Sequence, residues 1–584
     1  MERADIEPSP AKAGAASPSL IAWLRGPTGS SPHATLVDAL EAAAEADAEL
    51  LTLHLKAEPE ALPARLLRDR AARWASRLME AGVERGEPVP LLLPTGSEFI
   101  TAFFGVLWCG AVPVPLSSPM TFGGVDRYLA NLARVVADSG AKRMVLTPRM
   151  AEAAATHAEL SAQLEVMLLP GDADGSAMAK PAKVRPEDTG LLQYTSGTTG
   201  DPKGARISHA ALVANAYAIQ QGLELGPEDV GVSWLPMFHD MGLIGVLLTA
   251  VCHPYPLHLL RPEAFVMRPG RWLDLMSEVG ATLTAGPNFA YALCLSRART
   301  KDDLDLSSLR RALNGSEPVH ASTVRAFHAH YAEAQLGAHV SLPVYGMAEA
   351  TLAITFPDVG APMRTLTLDR QALELRGEVR MHVEGERTEA VSVGRPVTGA
   401  EVRVRRADLE LAQVDQVGEI EVGGASLMDG YHGRAEATAE VLVEGWLRTG
   451  DLGFVHEGEL YVVGRKKEVV IKGGRNIYPY DVERVACDLT QTSAAAFGRY
   501  NADAGTDDLV LVVETRSLEP EARAELEKQV RGDILATLGV KVDEVHLWPI
   551  GALPRTTSGK VRRGACAATL AEREAAEPIQ SEPT

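Results

Sequence analysis

The run Leu192-Gln-Tyr-Thr-Ser-Gly-Thr-Thr-Gly-Asp-Pro-Lys-Gly204 gathers four Ser/Thr hydroxyls, three glycines and one lysine behind an apolar stretch. That mixture suits a phosphate. Gly197 and Gly200 remove the Cβ that would keep backbone N–H groups away from an anion. Thr195, Ser196, Thr198 and Thr199 add donors for phosphate oxygens, and Lys203 adds a positive charge. The spacing is not that of a Walker loop, because Pro202 stands where its second glycine would be. Ser208 then offers an N-cap to a helical pattern that stops at Gly222. The chain is expected to place a phosphate-holding loop between a strand and a helix.

Six further runs follow in order: Trp234-Leu-Pro-Met-Phe-His-Asp-Met-Gly242, Asn314-Gly-Ser-Glu-Pro318, Tyr345-Gly-Met-Ala-Glu-Ala-Thr351, Arg448-Thr-Gly-Asp-Leu-Gly453, Gly464-Arg-Lys-Lys467 and Pro554-Arg-Thr-Thr-Ser-Gly-Lys560. With the loop, the series resembles the adenylate-forming superfamily of acyl-CoA synthetases, peptide-synthetase adenylation domains and luciferases, over roughly residues 35 to 570. The resemblance implies that a carboxylate is joined to the α-phosphate of ATP with release of pyrophosphate. Two anions meet in that step, so the site must supply cations and aimed donors.

What the resemblance implies can be carried over residue by residue. Thr195 to Gly200 with Lys203 becomes the ATP-grasping loop, and Gly315, Ser316, Glu317 and Pro318 lie against adenine. Glu349 becomes the Mg²⁺ ligand, a hard oxygen suited to that ion. Tyr345, Gly346, Met347 and Ala348 continue the nucleotide site. Relatives often carry Thr at the Ala348 position to touch the α-phosphate, and Thr351 is the candidate to replace that contact. Asp451 matches the acid that accepts from both ribose hydroxyls, a task for two carboxylate oxygens, and Arg465 a second ribose-side contact. Lys560 matches the catalytic lysine that bridges carboxylate and α-phosphate, where a flexible ammonium can follow moving charge. Lys467 matches the hinge about which a small domain turns between half-reactions. His239, Met241, Gly242, Asn288 and Phe289 match the acyl pocket. His239 and Asp240 are not read as a catalytic dyad, since no Ser or Cys nucleophile motif accompanies them, and Asp240 is taken as structural.

Within the superfamily the chain looks like a fatty acyl-AMP ligase, on Trp234 to Gly242, Ala285-Gly-Pro-Asn-Phe-Ala-Tyr-Ala-Leu-Cys294 and Tyr345 to Thr351. Such enzymes pass a fatty acyl group to the phosphopantetheine thiol of a holo acyl carrier protein and use free CoA poorly. The 49 residues from Tyr345 to Gly394 are longer than expected of a CoA user. The surplus, an insertion near 360–390, includes Thr367 to Glu389, in which Glu378 to Glu384 is read as a strand. A basic face of Arg465, Lys466, Lys472, Arg562 or Arg563 would receive an acidic carrier. Against this, Ile477 stands where carrier users often have His. The alternatives are an acyl-CoA synthetase with CoA as acceptor, and a non-catalytic nucleotide-binding relative.

The elements that must position these residues alternate. Pro88 to Leu93, Lys142 to Thr147 and Leu164 to Leu169 read as buried strands between helices, and Gly418 to Gly423 as a strand in a β-rich stretch. Asp507 to Glu514 reads as a strand and Glu519 to Gly539 as a helix with Pro520 in its first turn. The expected class is α/β: a large N-terminal domain of helix-covered sheets plus a β-rich subdomain (34–464), and a small mobile α+β C-terminal domain (465–572). Residues 1–33 are expected as a disordered extension, with Leu20 to Leu24 able to dock, and 573–584 as a frayed tail.

Composition excludes some classes. The net charge of −20 argues against nucleic acid as a partner. From Arg465 onward 17 Lys+Arg face 19 Asp+Glu, so the acidity belongs to the larger part. The five scattered cysteines, none in a CxxC pair, suggest neither a disulfide framework nor a zinc site. Ile100 to Leu116 and Met241 to Cys252 are too short for a membrane span. No basic-then-apolar leader pattern opens the chain, so a cytoplasmic location is expected.

Overall fold

Four apolar segments, far apart in the chain, become neighbouring parallel strands and end on one side of a single sheet. They are seen in a computed structural model that describes residues 21–117, 125–195, 202–381, 383, 385–473, 475–501, 504, 506–516, 519–556 and 560–576. The seven-stranded sheet runs in the order Ser341–Pro343, Arg311–Asn314, Leu283–Gly286, Gly231–Ser233, Leu257–Leu260, Leu51–His54, Glu60–Leu62. Every neighbouring pair is parallel except the last. Parallel neighbours need crossovers, and helices Gly270–Val279, Asn288–Arg297 and Ala321–His330 supply them. The four strands Gly231–Ser233, Leu283–Gly286, Arg311–Asn314 and Ser341–Pro343 are buried throughout, as a sheet covered on both faces requires.

A second parallel sheet orders Val112–Pro115, Pro88–Leu92, Arg143–Leu146 and Val166–Leu168, so the three strands read from sequence lie together. An antiparallel sheet joins Trp23–Arg25, Ala400–Arg405, Gly418–Gly424, Trp446–His456 and Leu442–Val443, with Glu459–Arg465 paired to Trp446–His456. Beyond it, strands Ala494–Asn501, Thr506–Thr515 and Glu544–Pro549 share a separate hydrophobic core with helices Pro479–Thr490 and Pro520–Leu538. Among the described residues no helix is long and apolar enough to cross a membrane.

Several expectations need correction. The loop after Thr195 does not lead into a helix. Lys203–Ser208 forms a strand antiparallel to Thr189–Thr195, and only then does Ser208 cap helix His209–Gly222 through Ala211 N–H. Part of the expected extension is ordered: Ala22 is buried and Trp23–Arg25 pair with Glu401–Arg403, the Trp23 indole donating to Glu401 at 2.9 Å. Residues 1–20 lie outside the described residues. Among the described residues, Glu378 to Met381 form no strand; a single bridge joins Glu378 to Gln416. The insertion is built instead from paired strands Thr365–Asp369 and Arg387–Val391 around helix Arg370–Arg376, which Asp369 caps and left-handed Gly377 ends. His382 and Glu384 lie outside the described residues. Helix Arg563–Ala576 runs into the expected tail, held where Arg573 lies 4.0 Å over the Trp548 ring; residues 577–584 are outside the description.

One buried carboxylate ties the far ends of three of the strands. Asp229 accepts from Thr282 (2.6 Å), Arg310 (2.6 Å), Arg311 (2.9 Å) and Gly226 N–H (2.9 Å), and Arg311 is itself buried. Asp229, Thr282 and Arg311 sit where strands Gly231–Ser233, Leu283–Gly286 and Arg311–Asn314 begin. Asp229→Ala leaves the Arg311 guanidinium buried without its anion. It should cost about 3–5 kcal/mol, read as a fall in the denaturation midpoint; an unchanged midpoint would dismiss the tie.

Candidate active site

The opposite ends of the same strands carry the motifs. Ser233 leads into Trp234, Gly286 into Asn288, Asn314 into Gly315 and Pro343 into Tyr345. Four runs spread over more than a hundred residues therefore meet at the carboxyl edge of one sheet, where open α/β sheets bind ligands.

Asp451 is held from three sides. It stands directly opposite Arg465 across antiparallel strands, and the Arg465 Nε donates to its Oδ1 at 2.8 Å. The Tyr345 hydroxyl donates to Oδ2 at 2.7 Å, and Thr449 Oγ1 accepts its backbone N–H at 3.0 Å. The carboxylate is buried, and each oxygen has a fixed donor.

Glu349 sits in a 3₁₀ turn, Ala348–Ala350, braced by an uncommon bend. Thr351 has φ 65° and ψ −64°, and Leu352 N–H donates to the Ala350 carbonyl at 2.8 Å. That is a γ-turn of the strained positive-φ form, on a β-branched residue. The Thr351 hydroxyl donates to the Ser426 carbonyl at 2.6 Å, and the residue is fully buried. Its hydroxyl is thus engaged in holding the turn. Gly346 is needed beside it, since a Cβ there would lie 2.0 Å from the Leu352 carbonyl oxygen. Met347 N–H donates to that same oxygen, and Ala348 is buried. The Glu349 carboxyl accepts from the Tyr431 hydroxyl at 2.9 Å. Burial raises its pKa, against the Tyr431 hydrogen bond and Arg465.

Lys560 comes from the distant end of the chain into the same cleft. Burial lowers its pKa, opposed by Asp240, Glu317 and Asp451 and aided by Arg465. Ser316 has φ 68° and its hydroxyl lies 3.4 Å from the Met241 sulfur; a Cβ on Gly315 would meet Val344 at 2.6 Å. The Glu317 carboxylate accepts Phe289 N–H at 2.6 Å, at the start of helix Asn288–Arg297, so its side chain matters as well as the chain path. Pro318 continues the turn.

In the run Trp234 to Gly242, His239 Nδ1 lies 2.6 Å from Asp240, which also accepts Met241 N–H at 2.7 Å. Burial opposes the Asp240 charge, but His239, Lys560 and the Met241 N–H outweigh it, and its pKa ends lowered. Met241–Leu248 is a π-helix, a rare form associated with functional sites, and a Cβ on Gly242 would strike the Pro236 carbonyl oxygen at 2.3 Å. Phe289 edges onto Trp234, which stacks on Phe265 at 3.9 Å. Asn288 is buried, and its Oδ1 accepts from Asn314 Nδ2 (3.3 Å) and His320 N–H (3.1 Å).

Thr195 pairs with Lys203 across the loop, while Ser196, Gly197, Thr198, Thr199 and Gly200 lie outside the described residues. Lys467 is exposed in the turn after strand Glu459–Arg465. Motif reading passes over Tyr431, Glu317 as a carboxylate, and His320. The last stacks on Tyr480 at 4.4 Å and shares a hydrogen bond with its hydroxyl through Nδ1, 2.7 Å away. Burial holds the His320 pKa down at about 3, so the ring is neutral. The signal for Tyr431 was a Gly-Tyr pair before a helical run, too short to weigh alone.

The insertion touches both sides. Arg325 of helix Ala321–His330 pairs with Glu389 at 2.8 Å. Arg370, buried, pairs with Asp481 of helix Pro479–Thr490 at 3.0 Å and with Glu374 at 3.4 Å; Thr388 also donates to Asp481. Arg475 reaches Glu374 at 2.6 Å and Glu386 at 3.3 Å.

Comparison with known proteins agrees with this geometry. Residues 41–432 match the family model described as AMP-binding enzyme. A putative acyl-CoA synthetase of Caulobacter vibrioides is 35% identical over 91% of this chain and 94% of its own length. The medium-chain-fatty-acid–[acyl-carrier-protein] ligase JamA of Moorena producens is 34% identical over 85% of this chain and 88% of its own. A solved structure from studies of fatty acyl-adenylate ligases of E. coli and L. pneumophila superposes with TM-score 0.87 at 33% identity, covering 94% of this chain and 100% of that one.

The Glu349 turn generates its own test. Gly346→Ala forces the added methyl into the Leu352 carbonyl and must open the γ-turn. We expect a loss of about 1–3 kcal/mol, as for other overpacked sites, measured by thermal unfolding. A variant as stable as the parent would show that the turn has room to relax.

Proposed function

The chain belongs to the AMP-binding, adenylate-forming enzymes, and we propose that it activates a fatty acid with ATP to an acyl-adenylate and passes the acyl group to the phosphopantetheine thiol of an acyl carrier protein. The observation that carries this reading is that Lys560 lies within the electrostatic reach of Asp240, Glu317 and Asp451. An ammonium delivered there can lie between an incoming carboxylate and an α-phosphate. Asp451 and Arg465 would hold the ribose, and Gly315 to Pro318 the adenine. Lys203 and the loop before it would hold the triphosphate.

Glu349 fits a magnesium ion. It is a hard oxygen donor on a rigid turn, and Mg²⁺ typically takes one or two carboxylates with phosphate oxygens and water. When bound, the ion would neutralise charge on the phosphates. The protein's part is positioning: the carboxylate nucleophile is brought to the phosphorus, and pyrophosphate leaves as the new P–O bond forms.

The acceptor rests on the insertion. Its ties to Arg325 on one side and to Asp481 and Arg475 on the other support a restraint on the segment that bears Lys560. JamA, named for an acyl-carrier-protein acceptor, supports the same reading. The Caulobacter relative's name and Ile477 favour free CoA instead. The basic docking face needs revision. Arg465, Lys466, Lys472 and Arg563 pair with Asp451, Glu419, Asp543 and Glu468 with Glu483, which reduces their pull on an acidic carrier.

A panel of fatty acids with ATP, offered CoA and phosphopantetheinylated carrier in parallel, decides between acceptors. Pyrophosphate release with carrier acylation is expected; CoA acylation at rates matching any carrier would falsify the carrier reading. Lys560→Ala should cut acyl-adenylate formation by about 10²–10³ and spare thiol acylation from supplied acyl-adenylate. Equal loss of both half-reactions would place the lysine in both. Asp451→Ala should weaken ATP use by roughly 1.5–3 kcal/mol per charged hydrogen bond lost; unchanged ATP affinity in a folded variant would rule out the ribose assignment.

A further inference from the structure

The phosphate strand and the Glu349 turn are joined by a short segment, Ser426 to His432, that no motif above includes. Its grip on the turn has three points. The Ser426 carbonyl accepts the Thr351 hydroxyl, Met428 N–H donates to the Glu349 carbonyl at 2.9 Å, and the Tyr431 hydroxyl donates to Glu349 Oε1 at 2.9 Å. Its grip on the phosphate strand is a ladder. Gly430 and Tyr431 pair antiparallel with Arg206 and Ala205, and His432 N–H donates to the Gly204 carbonyl at 2.8 Å.

Tyr431 is where the two grips meet. Its phenol reaches Glu349, and the Lys203 ammonium lies 5.2 Å from its ring centroid, within cation–π range. The residue is buried, and its backbone N–H is bound to Thr438 Oγ1 at 2.9 Å, so the ring cannot swing freely. Gly430 makes this possible: its φ is 131°, and a Cβ would meet Thr438 at 2.6 Å.

We propose that Tyr431 is a positioning residue that sets Lys203 and Glu349 at a fixed separation, orienting the metal-side carboxylate through its hydroxyl and the phosphate-side ammonium through its ring. The proposal rests on the assignments of Glu349 and Lys203 given above. A carboxylate in a partly dry cleft needs a donor to hold one rotamer, and a phenol supplies one without adding a charge that would compete for the phosphates. A lysine stem has four rotatable bonds, and an aromatic face confines the ammonium while leaving it free to donate toward an anion. Hydrogen-bond partners of a metal ligand characteristically change metal affinity by 10–100-fold when removed.

The two functions of the side chain separate by substitution. Mg²⁺ is titrated calorimetrically into protein saturated with α,β-methylene ATP, so no turnover occurs, and binding of the analogue without Mg²⁺ is measured alongside. Tyr431→Phe keeps the ring and removes the hydroxyl. It should weaken Mg²⁺ binding about tenfold and leave metal-free analogue binding within about twofold. Tyr431→Leu removes both groups and should weaken both. Melting temperatures of the apo proteins establish that each variant folds. Equal Mg²⁺ affinity in the parent and Tyr431→Phe overturns the proposal, as does a Tyr431→Phe variant that loses both affinities together. A parent that binds neither probe removes the assignments of Glu349 and Lys203 themselves, which is a different failure.

Discussion

The structure depends on gathering acids in a place that is short of water. Asp240, Glu317, Glu349 and Asp451 come from four separate segments and converge on one cleft. A lone buried carboxylate tends to take up a proton, so each needs a donor brought by some other element. Asp451 has Arg465 and Tyr345, Glu349 has Tyr431, Glu317 has the start of a helix, and Asp240 has His239 and the start of another. The pairings of Asp451, Glu349 and Glu317 join different elements, whereas Asp240 is held by its immediate neighbours. The cleft is therefore an electrostatic knot, and its order depends on the sheet register that delivers those segments to the same edge.

That register explains what could be read from sequence and what could not. Motifs such as Tyr345 to Thr351 could be read because their chemistry is local: a turn, a carboxylate and glycines where Cβ atoms do not fit. Ser208 as an N-cap and Pro520 in a first turn are local for the same reason. The strand Lys203–Ser208 was hidden because its partner lies across the loop, and pairing, not propensity, decides strands. Tyr431 and His320 were hidden more deeply. Their importance lies in partners, Glu349 and Tyr480, about 80 and 160 residues away. The segment near 360–390 was read as surplus length, and its interior was misread: the stretch after Gly377 is held by isolated contacts to Asp415 and Gln416, not by a ladder.

The insertion's ions show a different balance. Arg370, Glu374 and Asp481 are almost wholly buried, and burial raises the Glu374 pKa against the pull of Arg370 and Arg475. Such a cluster stabilises little in net terms, because desolvation offsets most of the attraction. Its consequence is positional. The Arg370 guanidinium keeps Glu374 within its own helix but reaches Asp481 only at one relative placement of helix Pro479–Thr490. Tyr480 stacked on His320 adds a second contact at the same junction.

Lys560 belongs to the same argument, with the opposite sign. Its ammonium is borne on a stretch remote from the parallel sheet, and burial works against its charge. Asp240, Glu317 and Asp451 act in the other direction. The acids that would be costly alone thus supply the field that draws the lysine in, and the lysine lowers the cost of gathering the acids. Each half thus offsets part of the desolvation of the other. A second anion entering beside that ammonium, a carboxylate or a phosphate, then meets a charge already in place, which is the condition under which electrostatic stabilisation needs no reorganisation at the moment of reaction.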